Sequence, residues 1–161
     1  MITLPGISID ERYRLSDLYA AYTGCIDAGR FGEWPEFFTE ECVYRVVARE
    51  NYDRGFPLAA ISLESKRMLH DRVYGITETI FHEPYYQRHV VSLPNVWRDG
   101  DAFRVEANYL VVRSKAGTPS ELYSAGRYLD RVIDQHGRLL FAEKICVYDS
   151  EVISNSLIYP I

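Results

Sequence analysis

The sequence is poor in cysteine, and the cysteines that it has are widely spaced. Only three occur among 161 residues, and no two of them form a C-x-x-C pair. Neither a disulfide framework nor a zinc site built on paired cysteines is therefore expected. We interpret Cys25, Cys42 and Cys146 as buried free thiols in a reducing compartment, which favours a cytoplasmic location.

Clustered positive charge and long apolar runs are also missing. The net charge is -5 and the longest basic cluster is the pair Lys66 and Arg67, whereas a nucleic-acid partner requires clustered Lys and Arg. No apolar run approaches the ~20 residues of a membrane-spanning helix. Residues 1–6 have neither a charged start nor a long apolar stretch, so we expect no signal peptide. Nucleic acid and membrane are not expected as partners.

Histidines are few and scattered, which bears on iron chemistry. The four histidines, at positions 70, 82, 89 and 136, have no second His within four residues. A Rieske cluster needs paired Cys and His motifs, and a mononuclear iron site needs two His and a carboxylate on one face. A G-x-S-x-G turn and a Gly-rich phosphate loop are absent as well. No catalytic, cofactor-binding or metal residue is therefore predicted on this chain.

Aromatic residues, by contrast, are abundant, with 13 Tyr, 7 Phe and 2 Trp. Tyrosine is common in pocket walls and subunit interfaces, although a Tyr-rich sheet explains the number equally well. Acid–base catalysis inside a pocket is the main enzymatic alternative. The residues that could line such a pocket are Tyr13, Tyr19, Tyr22, Asp27, His89 and Tyr109. For His89, the structural alternative is a bond to a backbone carbonyl or a neighbouring carboxylate.

The first half of the chain is predicted to be mainly helical. A helix should run from Ser8 to Ala28, because Ser8 and Glu11 have the spacing of a capping box and apolar residues then recur at helical intervals. Gly29 suits the left-handed position that ends a helix. Further predicted elements are a short helix over 34–38, a strand over 43–49, a loop over 51–57, a strand over 58–63 and a helix over 64–78.

The second half is predicted to be a four-stranded antiparallel meander over 85–98, 103–114, 122–133 and 139–148. Pro94 implies a bulge or an edge position, and the pair Asp99 and Gly100 marks a hairpin. Helices followed by a meander indicate an α+β fold in one domain over residues 1–161. One face of 103–111 is apolar and should pack on the first helix, whereas the opposite face is only half polar.

A charge group on the second and third predicted strands of the second half has two interpretations. It comprises Arg113, Arg127, Asp130 and Arg131, with Asp130 pointing away from its two neighbours. It is either a solvated ladder of weak ion pairs or a contact with another subunit. We predict the second, together with Leu157 and Tyr159 of the apolar tail.

Five segments in order resemble the small (β) subunits of Rieske ring-hydroxylating oxygenases. They are residues 25–44, with an acidic residue, a Trp and an aromatic pair; Arg88 and His89 with Ser92, Asn95 and Val96; and residues 105–113, 126–130 and 149–158. Pro94 departs from the family pattern. The stretch 49–54 is most similar to the salicylate 5-hydroxylase and anthranilate branch.

This resemblance implies a cone-shaped, strongly curved mixed sheet on N-terminal helices, the NTF2-like or cystatin-like fold. It also implies a β trimer capped by three large α subunits. In the family the α subunit carries the [2Fe-2S] Rieske cluster and the mononuclear Fe(II). Electrons arrive from NADH through a reductase and a ferredoxin. The chain is then a non-catalytic assembly subunit, and the alternative is a free-standing isomerase or dehydratase of the same fold.

Overall fold

The computed structural model describes residues 6–153 and 157–161. Two short segments lie outside the described residues: 1–5, within the stretch where no signal peptide is expected, and 154–156, within the last family-like segment. Among the described helices, none has the length and apolar character needed to cross a bilayer.

The first helix, α1, spans Ile9–Asp27 and confirms the sequence prediction. The Ser8 hydroxyl accepts the backbone N–H of Glu11, and the Glu11 carboxylate accepts the backbone N–H of Ser8. Gly29 follows with φ +71°. The expected apolar stripe is buried, and Tyr19, which sequence reasoning did not place in the stripe, is buried with it.

The elements after α1 differ from the prediction in extent. A 3₁₀ helix over Phe31–Phe37 leads into β1, Phe38–Ala48. The predicted loop over 51–57 is partly wrong, because a short helix α2 occupies Arg49–Asp53. Strand β2 is only Ile61–Leu63. Helix α3, Lys66–Tyr74, gives way to a π-helical turn at Gly75–Thr79, since glycine weakens regular helix.

The rest of the chain forms the predicted meander with one correction. The single strand expected over 85–98 is two strands, β3 at Tyr85–Val91 and β4 at Asn95–Asp99, and both pair with β5. Pro94 lies in the break, where its missing N–H removes no ladder bond. The last strands are β5 at Ala102–Lys115, β6 at Glu121–Gln135 and β7 at Arg138–Tyr148.

The strands form one curved mixed sheet in the order β2-β1-β7-β6-β5-β3, with β4 also on β5. Among the strands of the described residues, only β1 and β7 pair in parallel. The inner face carries the core, including the predicted row from Phe103 to Val111, and α1 packs over it. The α+β fold is therefore confirmed, and the sheet has an inner face beneath the helices and an outer face opposite.

Candidate functional site

The centre of the inner face holds a buried ion pair. Asp130 on β6 and Lys144 on β7 are cross-strand partners, with 2.9 Å between Lys144 Nζ and Asp130 Oδ2. Neither side chain is exposed. The Tyr19 hydroxyl donates a hydrogen bond to the same carboxylate. Burial raises the pKa of Asp130, and the Lys144 charge opposes that rise.

Four aromatic rings surround the Lys144 ammonium. Its Nζ lies 3.5 Å from the ring centre of Tyr128 and within 5 Å of three further rings, those of Tyr19, Tyr22 and Phe141. Ring faces attract cations, and the attraction strengthens when water is excluded. The charge is thus held by Asp130 on one side and by aromatic faces on the others.

The tail segment 157–161 fills the rest of the inner face. The Tyr22 hydroxyl donates to the Ile161 carbonyl at 2.8 Å, and the Ile161 N–H donates to the Tyr44 hydroxyl at 2.9 Å. Trp34 Nε1 donates in turn to Tyr22. Ile161 is fully buried, together with Trp34, Tyr22 and Tyr44. The chain's own residues therefore occupy the centre, where the enzymatic alternative would place a substrate.

The tail is fixed at several points before it reaches the centre. Arg72 donates to the carbonyls of Leu157 and Ile158 at 2.8 and 2.9 Å. The Tyr159 hydroxyl lies 2.8 Å from His82 Nε2, and its ring stacks on Phe31. Tyr159 is buried within the subunit, so the partner contact predicted for its side chain would require the tail to move.

The residues named as possible pocket lining separate into three groups. Tyr13 is 69% exposed and lies outside the core, so it is not part of the buried inner face. Tyr19, Tyr22 and Tyr109 are buried and packed. Asp27 and His89 form a pair at the end of α1, with 2.5 Å between His89 Nδ1 and Asp27 Oδ1, which fits the structural alternative for His89.

The predicted charge group does not form one cluster. Arg113 is buried against the rings of Tyr85 and Tyr123 and donates two hydrogen bonds to Glu121. Asp130 points away from Arg127 and Arg131, as alternation predicted, and its full burial means that its side chain cannot reach a partner subunit. Only Arg127 and Arg131 remain accessible for such a contact, with half-exposed side chains on the outer face.

The outer face also carries an apolar surface that sequence reasoning did not identify by residue. We call it the outer patch, and its members are Tyr86, Val90, Leu110, Val112 and Leu122. Val90 pairs across strands with Leu110, and Val112 pairs with Leu122. Val90 is 56% exposed and Leu110 is 43% exposed. The half-polar character noted for 103–112 was the signal that pointed to this face.

The sequences of proteins of known type match this chain along most of its length. Residues 8–144 match the SnoaL-like domain family. The small subunit of anthranilate 1,2-dioxygenase from Burkholderia cepacia is 35% identical over 142 residues, covering 87% of this chain and 88% of the relative. A β subunit of the terminal oxygenase component of terephthalate 1,2-dioxygenase from Comamonas is 33% identical, covering 88% and 93%. This chain belongs to the small (β) subunits of aromatic-ring dioxygenases.

A solved structure agrees with this assignment. The crystal structure of a β subunit of an aromatic-ring-hydroxylating dioxygenase from Novosphingobium aromaticivorans superposes with a TM-score of 0.85 at 33% identity. The match covers 93% of this chain and 96% of that chain. The family and fold expected from the sequence are both confirmed. In this β subunit, the contacts of the tail and the outer patch are the features that sequence motifs did not predict.

The described residues of this β subunit offer no metal site. No group of three or more His, Cys, Asp or Glu side chains comes together within 6–153 and 157–161. All three cysteines are buried as free thiols, as predicted. The donor set does not fit an iron cluster, so no chemical step is assigned to a metal on this part of the chain.

Proposed function

We propose that this chain is the assembly subunit of a cytoplasmic multicomponent aromatic-ring oxygenase and performs no chemistry itself. The outer patch is the observation that supports the proposal most directly. Exposed apolar surface that spans three neighbouring strands is unfavourable on a monomer and is typical of protein interfaces. The relatives are small or β subunits of dioxygenases, which implies a larger companion chain.

The companion in this proposal is the large α subunit, with an α3β3 arrangement built on a β trimer. The Rieske cluster and the mononuclear Fe(II) belong to that subunit, and electrons reach them from NADH through a reductase and a ferredoxin. The outer patch docks the α subunit. Arg127 and Arg131, beyond it on the same face, supply polar contacts at the rim.

The substrate of the assembled enzyme is a single-ring aromatic acid under this proposal. The anthranilate and terephthalate relatives act on such compounds by name. Salicylate is the specific substrate that the stretch 49–54 suggests. The packed inner face weighs against the isomerase or dehydratase alternative, because Ile161 and the Lys144 cage leave little space there for a substrate.

Co-expression with the large subunit tests the proposal. The wild-type chain should elute with it during size-exclusion chromatography, since binding the folded state links the two chains. The double variant Val90→Glu and Leu110→Glu should lose co-elution, because two carboxylates would be buried in an apolar contact. Ile9→Glu is the matched control, since Ile9 is 74% exposed but lies on α1, opposite the outer face.

Circular dichroism should show that all three proteins fold. Co-elution that survives the double variant would contradict docking through the outer patch. Loss of self-association alone, with the large subunit still bound, would assign the patch to contact between copies of this chain instead. A wild-type chain that elutes as a monomer beside a free large subunit would contradict the assembly function.

A further inference from the structure

The tail segment 157–161 is buried on the inner face without joining the sheet. Residues 158–161 are buried, yet the segment belongs to no helix and to no strand. Buried backbone N–H and C=O groups need hydrogen-bond partners. Because strand pairing does not supply these partners for the tail, side chains must supply them.

Side chains from four elements bind the backbone of the tail. They are Tyr22 on α1, Tyr44 on β1, Arg72 on α3, and Tyr85 and Gln87 on β3. The Tyr85 hydroxyl accepts the Tyr159 N–H at 3.3 Å. Gln87 Nε2 donates to the Pro160 carbonyl at 3.2 Å. Main-chain groups bound along an extended segment are also what gives affinity when a protein binds a separate peptide.

Two side chains of the tail lie in aromatic surroundings. The Tyr159 ring stacks on Phe31 with 4.6 Å between ring centres, and it lies 4.3 Å from the Tyr85 ring. Ile161 is fully buried in the same apolar cluster as Trp34. Pockets for side chains give specificity to peptide binding. The tail therefore has the two kinds of contact that a bound peptide has.

Pro160 limits the conformations that the tail can adopt when it is free. Its ring holds φ at about −65°, and the residue before a proline favours extended backbone. A segment with fewer conformations in the free state loses less entropy when it binds. Pro160 consequently favours rebinding of a tail that has been released.

The rest of the core is built without the tail. The ion pair of Lys144 and Asp130 and the rings around it pack beneath α1. Strand β6 pairs with β5 and β7, and β7 pairs with β1. These ladders contain no tail residue, so departure of the tail breaks no strand pairing.

We propose that the inner face contains a peptide-binding groove, formed by the five binding side chains with Phe31 and Trp34, and that the tail is its detachable ligand. The tail leaves and rebinds as one unit while the sheet stays folded. The groove recognises an extended apolar peptide in which an aromatic residue, a proline and a branched aliphatic residue follow one another. Release frees the Tyr159 side chain for contact with another chain.

Native-state hydrogen exchange of the full chain tests the release. After correction for intrinsic rates, the Tyr159 and Ile161 amides should exchange at least about tenfold faster than the slowest amides of β6. Their exchange should be nearly independent of urea at low concentration, because release exposes little surface compared with global unfolding. Tail amides with the protection and urea dependence of β6 would overturn the proposal, since the tail would then open only with the whole fold.

A variant of the groove tests the contacts that hold the tail. Arg72→Met removes the charged donor to two tail carbonyls and should accelerate exchange of the tail amides about ten- to hundredfold, while the slow β6 amides stay unchanged. Arg67→Met is the matched control, because Arg67 lies on the same helix but is exposed, and it should change neither set of rates. Equal acceleration of tail and β6 amides in Arg72→Met, or no acceleration of the tail, would count against a detachable ligand.

Addition of a peptide tests whether the groove binds a separate ligand. Tyr159→Ala in the full chain removes one side-chain contact of the tail and leaves the groove unaltered. A tethered segment has an effective concentration of roughly millimolar order. A synthetic peptide with the sequence of residues 157–161 should therefore displace the altered tail at millimolar concentration, since the peptide keeps its tyrosine.

The indole N–H signal of Trp34, which donates to Tyr22, reports binding of the peptide by NMR. It should move saturably in the Tyr159→Ala protein, and a peptide with alanine in place of tyrosine should bind at least about tenfold more weakly. No saturation by the intact peptide, or equal binding of the two peptides, would show that the groove is not a peptide site. All these measurements use this chain alone, so their outcome is independent of co-elution with the large subunit.

Discussion

Lys144 and Asp130 face each other across β7 and β6, with 2.9 Å between Nζ and Oδ2 and no exposure of either side chain. The pair lies beneath α1, where Tyr19 reaches down to the carboxylate. Transfer of two charges from water is costly, and only close pairing and hydrogen bonds offset the cost. Removal of one of these two residues should therefore cost more stability than removal of one partner of an exposed ion pair.

Removal of Lys144 alone should destabilise the fold strongly. Lys144→Met leaves a buried carboxylate with its Tyr19 bond but no cation, a change that costs about 3–5 kcal/mol in comparable sites. Urea unfolding followed by circular dichroism measures the loss. The double variant Asp130→Asn and Lys144→Met should recover at least half of it, because no charge is then buried. Equal stability of the single and double variants would show that the charges are not coupled.

The burial of Asp130 and Lys144 shows where prediction from the sequence stops. Alternation along β7 puts Lys144 on one face with Cys146 and Tyr148, but Ile145 and Val147 make the other face equally apolar. The pattern therefore cannot say which face is inside. Register across β6 and β7 decides it, and that register depends on the bulge between Arg131 and Val132.

Local sequence signals, by contrast, were sufficient to predict the ends of α1, because the residue types found there have a specific role at helix ends. Ser8 with Glu11 located the start of α1, and Gly29 located its end. Pro94 marked an irregular position within a single predicted strand, whereas the structure has two strands there, β3 and β4. The path of the tail, with Ile161 bonded to Tyr22 and Tyr44 more than 100 residues away, carries no local signal and could not be predicted.

The three cysteines should react slowly while the protein is folded. Burial raises the pKa of Cys146 to about 12 and that of Cys42 to about 11, and it raises the pKa of Cys25 as well. A higher pKa means less thiolate, which is the reactive form, at any pH below it. Alkylation at pH 8 followed by mass spectrometry should find all three unmodified in native protein and modified in urea. Rapid native labelling of Cys146 would contradict the packed inner face.

The exposed pair of Arg14 and Asp134 should make a small contribution that depends on pH. The hydrogen bond from Arg14, 2.7 Å to Asp134 Oδ2, lowers the pKa of Asp134 below its ordinary value of 3.8. A lowered carboxyl pKa stabilises the fold above the ordinary value, and this stabilisation is lost as the pH falls through the folded pKa. In Arg14→Gln, the NMR titration of Asp134 should therefore shift upward. An unchanged titration would mean that Arg14 is not its main partner.

Two glycines should respond oppositely to alanine. A Cβ on Gly126 would lie 1.9 Å from the Val147 carbonyl oxygen and 2.9 Å from Tyr148 Cα, both backbone atoms of β7 or its end. Gly126→Ala should force β6 and β7 apart and lower the free energy of unfolding by about 3 kcal/mol or more. Gly24 lies inside α1, and apart from its chain neighbours and the backbone of its own helix no described atom lies within 4 Å of its Cβ position.

Gly24→Ala is accordingly the matched control and should raise the free energy of unfolding by about 0.5–1 kcal/mol, since alanine favours helix. Urea unfolding of both variants under one set of conditions measures the contrast. Close approach of β6 and β7 is what brings Asp130 to Lys144, so a well-folded Gly126→Ala protein should also show a changed environment for Lys144 by NMR. A Gly126→Ala protein as stable as the wild type would contradict the tight strand contact on which the buried pair depends.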